Sequence, residues 1–203
     1  MKTVITIGRQ FGSGGREIGL RLARELNIPF YDRELLQKAA EESGLCEKIF
    51  DNFDEKPKSV LYSIVMDSYM FAVPGTNAGE SLEQQVYLAT YNTIRRIADQ
   101  GPCVIIGRCA DYALADHPET LKLFIDAPME VRLKTVETRE NLSAEKAKAL
   151  IARMDKRRAA YYEYYCSQKW GGVDSYDFCI DSSAFGIDGS VKLIKHMIEM
   201  KEA

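Results

Sequence analysis

The stretch Gly8-Arg9-Gln10-Phe11-Gly12-Ser13-Gly14-Gly15-Arg16-Glu17 decides the fold of this chain. It directly follows the apolar run Val4-Ile5-Thr6-Ile7, which is typical of a buried strand, and it precedes a helical pattern that reaches Leu26. A strand, a glycine-rich loop and a helix start in this order point several backbone N–H groups at one place. The sequence therefore predicts that residues 8–17 attract a phosphate group.

The same stretch partly matches the phosphate loop Gly-x-x-x-x-Gly-Lys-Ser/Thr, in which Lys neutralises phosphate and the hydroxyl holds Mg²⁺. If Gly14 is the second glycine, Gly15 stands at the Lys position and Arg16 at the hydroxyl position. A shift by one residue makes Arg16 the cation of the loop and puts Glu17 where the hydroxyl should be. Neither alignment restores both groups, so a glycine-rich turn without a ligand is the alternative.

The composition is that of one ordinary globular domain over residues 1–203, with 46% hydrophobic and 28% charged residues. Lys and Arg number 27 and Asp and Glu 30, which gives a net charge of −3. Since no overall basic field exists, we expect neither nucleic acid nor a membrane as a partner, and any anion site must be local. Five cysteines without a Cys-x-x-Cys pair, and no long apolar run, favour the cytoplasm.

Five short apolar runs predict buried strands, and helical patterns separate them. The expected fold class is therefore α/β, a five-stranded parallel sheet with helices on both faces. The strands are expected at Thr3 to Ile7, Pro29 to Tyr31, Cys103 to Ile106, Leu121 to Ile125 and Phe178 to Ile180. Helices are expected from Glu17 to Leu26, along Leu82 to Ile97 before Gly101-Pro102, from Ser143 and from about Ser190.

The alternation of strands and helices breaks at about residues 45–81. This part combines a charged patch, an amphipathic piece and a turn-rich loop, which favours a helical insertion over the edge of the sheet, where a substrate could be covered. A helical hairpin that only completes the core is the alternative.

Polar residues follow every predicted strand. After the second, third, fourth and fifth strands these are Asp32-Arg33, Gly107-Arg108, Asp126 and Asp181-Ser182-Ser183. Because ligands of open parallel sheets bind outside the carboxyl ends of the strands, we expect the site at this edge. Basic residues also cluster at 132–139 and 153–158, and a solvated helix face is the alternative for Arg153 and Arg157.

Four segments together resemble the cytidylate kinase-like family of nucleoside monophosphate kinases, and the resemblance extends over about residues 2–199. The segments are Ile7 to Glu17, Pro29 to Leu35, Ile105 to Arg108 and Asp155 to Arg158. The resemblance implies a phosphate-loop kinase fold, an acceptor-binding insertion at about 45–81 and a lid at about 132–158. It also implies phosphoryl transfer from ATP to a (d)CMP-like nucleoside monophosphate, with Mg²⁺ held mainly through nucleotide phosphates and water.

The resemblance further implies roles for single residues. The donor phosphates would be bound by Gly12, Ser13, Gly14, Gly15, Arg16 and Glu17. The acceptor would be bound by Asp32, Arg33, Gly107 and Arg108. Catalytic roles would fall to Arg16, Arg132, Arg139, Arg158 and Asp155, the last two forming the pair that follows the lid. Arginine suits these roles because its permanently charged, planar fork binds phosphate oxygens in pairs.

Two departures from the family pattern concern the loop, which lacks both the Lys and the following hydroxyl. Arg16 replaces the charge of that Lys but not its compact geometry. A nucleotide-binding regulatory module without catalysis is therefore the alternative function. The aromatic stretch Tyr161 to Trp170 favours helix packing, or a contact between subunits of a homodimer, over base stacking.

Overall fold

The computed structural model describes residues 1–32 and 82–203. Arg33 and the predicted insertion at about 45–81 lie outside the described residues. The sheet, the glycine loop and the basic segments 132–139 and 153–158 lie within them.

The described residues form a five-stranded sheet in the order β2-β3-β1-β4-β5, and all of its strand pairs are parallel. The strands are β1 (Val4–Arg9), β2 (Phe30–Tyr31), β3 (Val104–Ile106), β4 (Thr120–Asp126) and β5 (Phe178–Asp181). The prediction of five parallel strands is confirmed, with ends that differ by one or two residues. Because β1 is central, the glycine loop that follows it lies in the middle of the carboxyl edge.

Six α-helices are described, together with a 3₁₀ turn at Val173–Ser175. They are α1 (Gly15–Leu26), α2 (Leu82–Asp99), α3 (Ala110–Ala113), α4 (Met129–Glu140), α5 (Ala144–Cys166) and α6 (Ser182–Glu202). The last helix was predicted from about Ser190, whereas α6 begins at Ser182, where Asp181 accepts a hydrogen bond from the Ser183 amide at 2.8 Å, and its long part follows a break at Gly186. Non-helical backbone at Gly186, with φ 66°, then kinks α6.

Helices pack on both faces of the sheet, as the continuous runs of Ile and Val in its strands require. On one face Ile5 and Ile7 of β1 pack against α1 and α6, through residues such as Ile18 and Ile194. On the other face a second cluster joins β1 and β3 to α2 and α3. Each fully buried isoleucine contributes about 2 to 3 kcal/mol relative to an exposed one.

The helices α4 and α5 form an antiparallel hairpin that packs against the glycine loop. Val136, Ala147 and Ile151 are fully buried at its centre, and Phe11 of the loop packs against them. The hairpin covers most of the predicted lid region, residues 132–158. Over the described parts of the chain, no helix is both long and apolar enough to cross a bilayer.

Candidate functional site

The loop between β1 and α1 presents main-chain amides to one side. Gly12 and Gly14 have φ angles of 84° and 78°, which strain any residue with a Cβ atom. Within residues 1–32 and 82–203, the amides of Gly14, Gly15 and Arg16 donate to no protein acceptor. Since α1 begins at Gly15, these amides lie at the positive end of the helix dipole and can bind an anion.

Contacts behind the loop hold its shape. The Ser13 hydroxyl donates to the carbonyl oxygen of Ile125 at 3.0 Å, and the Ser182 hydroxyl donates to the carbonyl oxygen of Ser13 at 2.6 Å. The Phe11 amide donates to Asp155 Oδ1 at 2.7 Å. The buried hydroxyl of Ser13 thus ties the loop to β4, and phosphate binding by Ser13 stays a prediction.

A cleft of about 780 Å³ opens beside the loop at the carboxyl edge of the sheet. Its lining combines the loop with the ends of β2 and β3 and with the hairpin helices. Among the predicted site residues it includes Gly12, Gly14, Gly15, Arg16, Glu17, Asp32, Gly107, Arg108, Arg139 and Arg158. Six arginines and four carboxylates line the cleft, so the local charge is positive although the chain is acidic.

Arg16 is directed toward the predicted acceptor side. Its Nε atom donates to Asp32 Oδ2 at 2.7 Å, and its guanidinium carbon lies 5.8 Å from the centre of the Phe30 ring. Asp32 is buried and fixes this orientation. Arg16 is predicted at the donor and Asp32 at the acceptor, and the structure brings the two side chains together beside β2.

Arg9 lines the same cleft and was not among the predicted site residues. Its Nη2 atom lies 3.9 Å from Asp32 Oδ1, so Asp32 lies between two guanidinium groups. Burial, and then the charge of Arg158, lower the pKa of Arg9 well below its usual value. Its position at the end of β1 could have indicated a role in the site, because the polar residues at the ends of the other strands were predicted to line it for that reason.

Arg139 of α4 and Arg158 of α5 both contact Phe11. Their guanidinium carbons lie 4.8 and 5.4 Å from the centre of the Phe11 ring. Arg158 Nη1 also donates to the carbonyl oxygen of Arg9 at 2.9 Å. Burial lowers the pKa of Arg158 to about 10, which leaves it protonated at neutral pH. Both arginines therefore bring positive charge to the cleft, and their catalytic roles stay a prediction.

Arg132 and Asp155 do not line the cleft, and their catalytic roles stay a prediction. Arg132 is 6% exposed and forms an ion pair with Asp155 Oδ2, while Asp155 Oδ1 accepts from the Phe11 amide. The sequence predicts that Asp155 pairs with Arg158, but in the structure Asp155 pairs with Arg132. The reason is the packing of α4 on α5, which brings these two side chains together behind the loop.

Asp111, the second residue of α3, is another cleft residue that the sequence did not single out. It is 5% exposed, and the Tyr162 hydroxyl donates to its Oδ2 atom at 2.5 Å. Burial raises the pKa of Asp111 to about 6. Nothing in the spacing of the sequence indicates this contact, since α3 and α5 are distant along the chain.

The aromatic stretch Tyr161 to Trp170, which begins in α5 and ends beyond it, packs against other rings, as predicted. Tyr165 stacks on Tyr87 at 4.0 Å between ring centres, and Trp170 meets Phe124 edge-on at 5.3 Å. Trp170 and Tyr162 also line the cleft. The homodimer contact stays a prediction.

Side chains suited to direct Mg²⁺ ligation are scarce at the loop. The residues at the hydroxyl position in the two alignments are Arg16, which has no side-chain oxygen, and Glu17, which forms an ion pair with Arg21. Nowhere in the described ranges do three His, Cys, Asp or Glu side chains cluster as a metal site. These residues fit an ion held through phosphates and water, and they do not fit one held by several side chains.

Comparisons with known proteins agree with this architecture. A cytidylate kinase from Methanopyrus kandleri is 24% identical over 98% of this chain and 94% of its own length. A cytidylate kinase from Methanocaldococcus jannaschii is 25% identical over 97% of both chains.

Solved structures extend the comparison to the fold. An uncharacterized protein from Eubacterium ventriosum has a TM-score of 0.74 at 28% identity, over 98% of this chain and 99% of that one. A shikimate kinase from Bacteroides thetaiotaomicron has a TM-score of 0.56 at 15% identity with the same coverage, and it therefore supports the phosphate-loop kinase fold alone. The sequence model of the cytidylate kinase-like family matches residues 4–184, which include the glycine loop and every strand of the sheet, and the chain belongs to this family.

Proposed function

We propose that this protein is a nucleoside monophosphate kinase that transfers the γ-phosphoryl group of ATP to a (d)CMP-like acceptor. The observation that carries the proposal is the cleft in which arginines from three parts of the chain surround the unpaired amides at the start of α1. Family membership and the phosphate-loop kinase fold support the reaction class.

Binding of the donor rests on the main chain of the loop. The amides of Gly14, Gly15 and Arg16 bind the β-phosphate of ATP, together with the dipole of α1. The contacts of Ser13, Ser182 and Asp155 hold these donors in position before the substrate arrives. Preorganised donors stabilise developing charge without reorganising during the reaction.

Binding of the acceptor rests on Arg108 and Arg16. Arg108 follows Gly107 at the end of β3, and Asp32 orients Arg16 toward the same side of the cleft. Two guanidinium groups can each donate two hydrogen bonds to a monophosphate. Arg33 and the predicted insertion complete this side in the proposal and lie outside the described residues.

The hairpin of α4 and α5 acts as the lid in this proposal. Arg139 and Arg158 neutralise charge on the migrating phosphoryl group, which needs positioning and electrostatic stabilisation more than covalent chemistry. The Arg132–Asp155 pair is a positioning element, because it fixes the hairpin to Phe11 of the loop. Mg²⁺ bound to the nucleotide phosphates would supply further charge neutralisation.

A coupled assay for ADP formation tests the proposal with ATP and each nucleoside monophosphate. We expect turnover with CMP or dCMP, and a loss of about 100-fold or more in kcat/KM for Arg108→Ala and Arg158→Ala. Arg153→Ala is the matched control, because Arg153 is an exposed arginine of α5 outside the cleft lining. Absence of turnover with every monophosphate would contradict the proposal.

A regulatory module that binds nucleotide without catalysis is the second candidate. The loop sequence favours it, since the Lys and the hydroxyl of the phosphate-loop motif are both missing. Calorimetry with ATP distinguishes the two functions when it is combined with the coupled assay. The module binds ATP and forms no ADP with any acceptor.

A further inference from the structure

Relative to the phosphate-loop motif, the glycine loop has a cationic residue at the first glycine position and a glycine at the lysine position. When Gly14 is the second glycine of Gly-x-x-x-x-Gly-Lys, the first glycine position is occupied by Arg9 and the Lys position by Gly15. Each of the two substitutions is unfavourable for phosphate binding when considered alone. Arg9 adds a long side chain where the motif has none, and Gly15 removes the cation.

The two positions are in direct contact in the structure. A Cβ atom built on Gly15 would lie 2.7 Å from Cβ and 3.3 Å from Cγ of Arg9, and 3.1 Å from Cβ of Ile125. A side chain at position 15 would therefore collide with the aliphatic part of Arg9. The glycine at position 15 provides the space that the Arg9 side chain fills.

The far end of Arg9 lies over a second glycine. A Cβ atom on Gly107 would collide with the Arg9 guanidinium group, so the ends of β1 and β3 together form its channel. Arg9 crosses from the loop toward Asp32, and its side chain remains 20% exposed to the cleft. The packing against Gly15 and Gly107 thus fixes the orientation of the Arg9 side chain, and its guanidinium group reaches the cleft.

The charges around Arg9 leave it incompletely neutralised. Its carboxylate partner Asp32 lies at 3.9 Å and also pairs with Arg16 at 2.7 Å. The positive charges of Arg158, Arg108 and Arg16 act on Arg9 as well, and burial disfavours its charged form further. A group of cations around one shared carboxylate is stabilised when an anion binds among them.

We propose that Arg9 is the cation of this phosphate loop, reaching the polyphosphate of the donor nucleotide from the first position of the motif in place of a lysine from position 15. The inference rests on the proposed function and names the residue that replaces the missing charge. Its planar guanidinium binds two phosphate oxygens at once, whereas an ammonium acts as a point charge. Arg158 contacts the same residue through the Arg9 carbonyl and thereby links the hairpin to it.

Calorimetry with ATP, and with inorganic tripolyphosphate as a probe without a base, tests the loss of the charge. Arg9→Met keeps the aliphatic part that packs on Gly15 and removes the guanidinium. We expect both ligands to bind about 10- to 100-fold more weakly to this variant. Arg9→Lys should recover part of the affinity, and Arg153→Ala should match the wild type. Equal ATP affinity of Arg9→Met and the wild type would overturn the inference.

A reciprocal exchange tests the geometry. Gly15→Lys alone should lower both the unfolding temperature and ATP affinity, because the new side chain collides with Arg9. The double variant Arg9→Gly with Gly15→Lys removes the collision with Arg9, leaves the 3.1 Å approach to Cβ of Ile125, and restores the order of the motif, so it should bind ATP at least 10-fold more tightly than Gly15→Lys alone. A double variant that folds and binds no better than the single one would overturn the inference.

The outcomes also separate this inference from the proposed function. A wild-type protein that binds ATP and phosphorylates an acceptor, combined with an unaffected Arg9→Met variant, overturns the role of Arg9 alone. A wild-type protein that binds ATP through Arg9 but forms no ADP supports the inference and contradicts the kinase. A wild-type protein that binds neither ATP nor tripolyphosphate contradicts both.

Discussion

Ser182 donates a hydrogen bond from its hydroxyl to the carbonyl oxygen of Ser13 at 2.6 Å, and a second to the carbonyl oxygen of Asp126 at 3.1 Å. The first residue of α6 thus holds the back of the glycine loop and the end of β4 together. Both Ser182 and Ser13 are buried, so water does not replace these bonds readily.

Ser182→Ala should therefore destabilise the protein by about 1 to 3 kcal/mol, because it leaves a buried carbonyl oxygen without its donor. It should also weaken ATP binding, since the loop amides lose part of their support. Thermal unfolding and calorimetry measure the two effects. Ser183→Ala is the control at the neighbouring exposed residue, where a change within about 0.5 kcal/mol is expected. Equal effects of the two substitutions would contradict this role of Ser182.

Asp155→Ala should destabilise the protein by about 3 to 5 kcal/mol, because it leaves the largely buried Arg132 without its counter-charge and Phe11 without its amide acceptor. Chemical denaturation measures the loss, with the exposed neighbour Lys156→Ala as the control. The double variant Arg132→Met with Asp155→Leu should lose less stability than the two single losses combined. If the double variant loses as much stability as the two single variants combined, Arg132 and Asp155 do not interact directly.

Arg16→Ala should raise the KM of the acceptor more than the KM of ATP, because Asp32 holds the Arg16 guanidinium on the acceptor side of the cleft. Removal of a bidentate phosphate contact typically costs about 1.5 to 3 kcal/mol, or roughly 10- to 100-fold in affinity. Steady-state kinetics with each substrate varied in turn measures the effect. Arg24→Ala, at an exposed arginine in the last turn of the same helix, is the control. A larger effect on ATP would place Arg16 at the donor phosphates instead.

Asp111 should make stability depend on pH between about 4 and 6. Burial raises its folded-state pKa to about 6 from an unfolded value of 3.8, although the Tyr162 hydrogen bond and the charge of Lys122 act in the opposite direction. The protonated folded state is therefore favoured at low pH, and this contribution, about 3 kcal/mol in total, is lost as the pH rises through 6.

The Asp111→Asn variant measures this contribution, because its amide does not titrate. Its stability relative to the wild type should increase by about 2 to 2.5 kcal/mol between pH 4 and pH 7, as measured by urea denaturation. Asp116→Asn, at an exposed carboxylate, serves as the control. A stability difference that stays constant over this range would show that Asp111 keeps the same ionisation in the folded and unfolded states.

The sheet and the location of the cleft could be predicted because both depend on local patterns. Runs such as Val4 to Ile7 and Val104 to Ile106 are mostly or wholly apolar, and the polar residue that follows each strand must lie at the same edge of a parallel sheet. The start of α6 was predicted too late, because it is set by single residues and not by an apolar pattern. Asp181 caps the helix, and Gly186 interrupts it a few residues later.

The partners of individual side chains could not be predicted, because they depend on how helices pack. Asp155 is three residues from Arg158, yet the contact of α4 with α5 brings it to Arg132. The hydroxyl of Ser13 is turned inward by its bond to the carbonyl oxygen of Ile125, although the loop as a whole lines the cleft. Arg9 was missed because, at the end of β1, it reads as one more residue of the loop.

One carboxylate joins the hairpin to the loop, since Asp155 bonds the main chain of Phe11 through one oxygen and Arg132 through the other. Any displacement of α5 must therefore either pull on the loop or break the hydrogen bond between the Phe11 amide and Asp155, and a displacement relative to α4 also breaks a largely buried ion pair. Under the proposed mechanism, hairpin movement and nucleotide occupancy become thermodynamically linked, so each substrate should change the affinity of the other by the same factor.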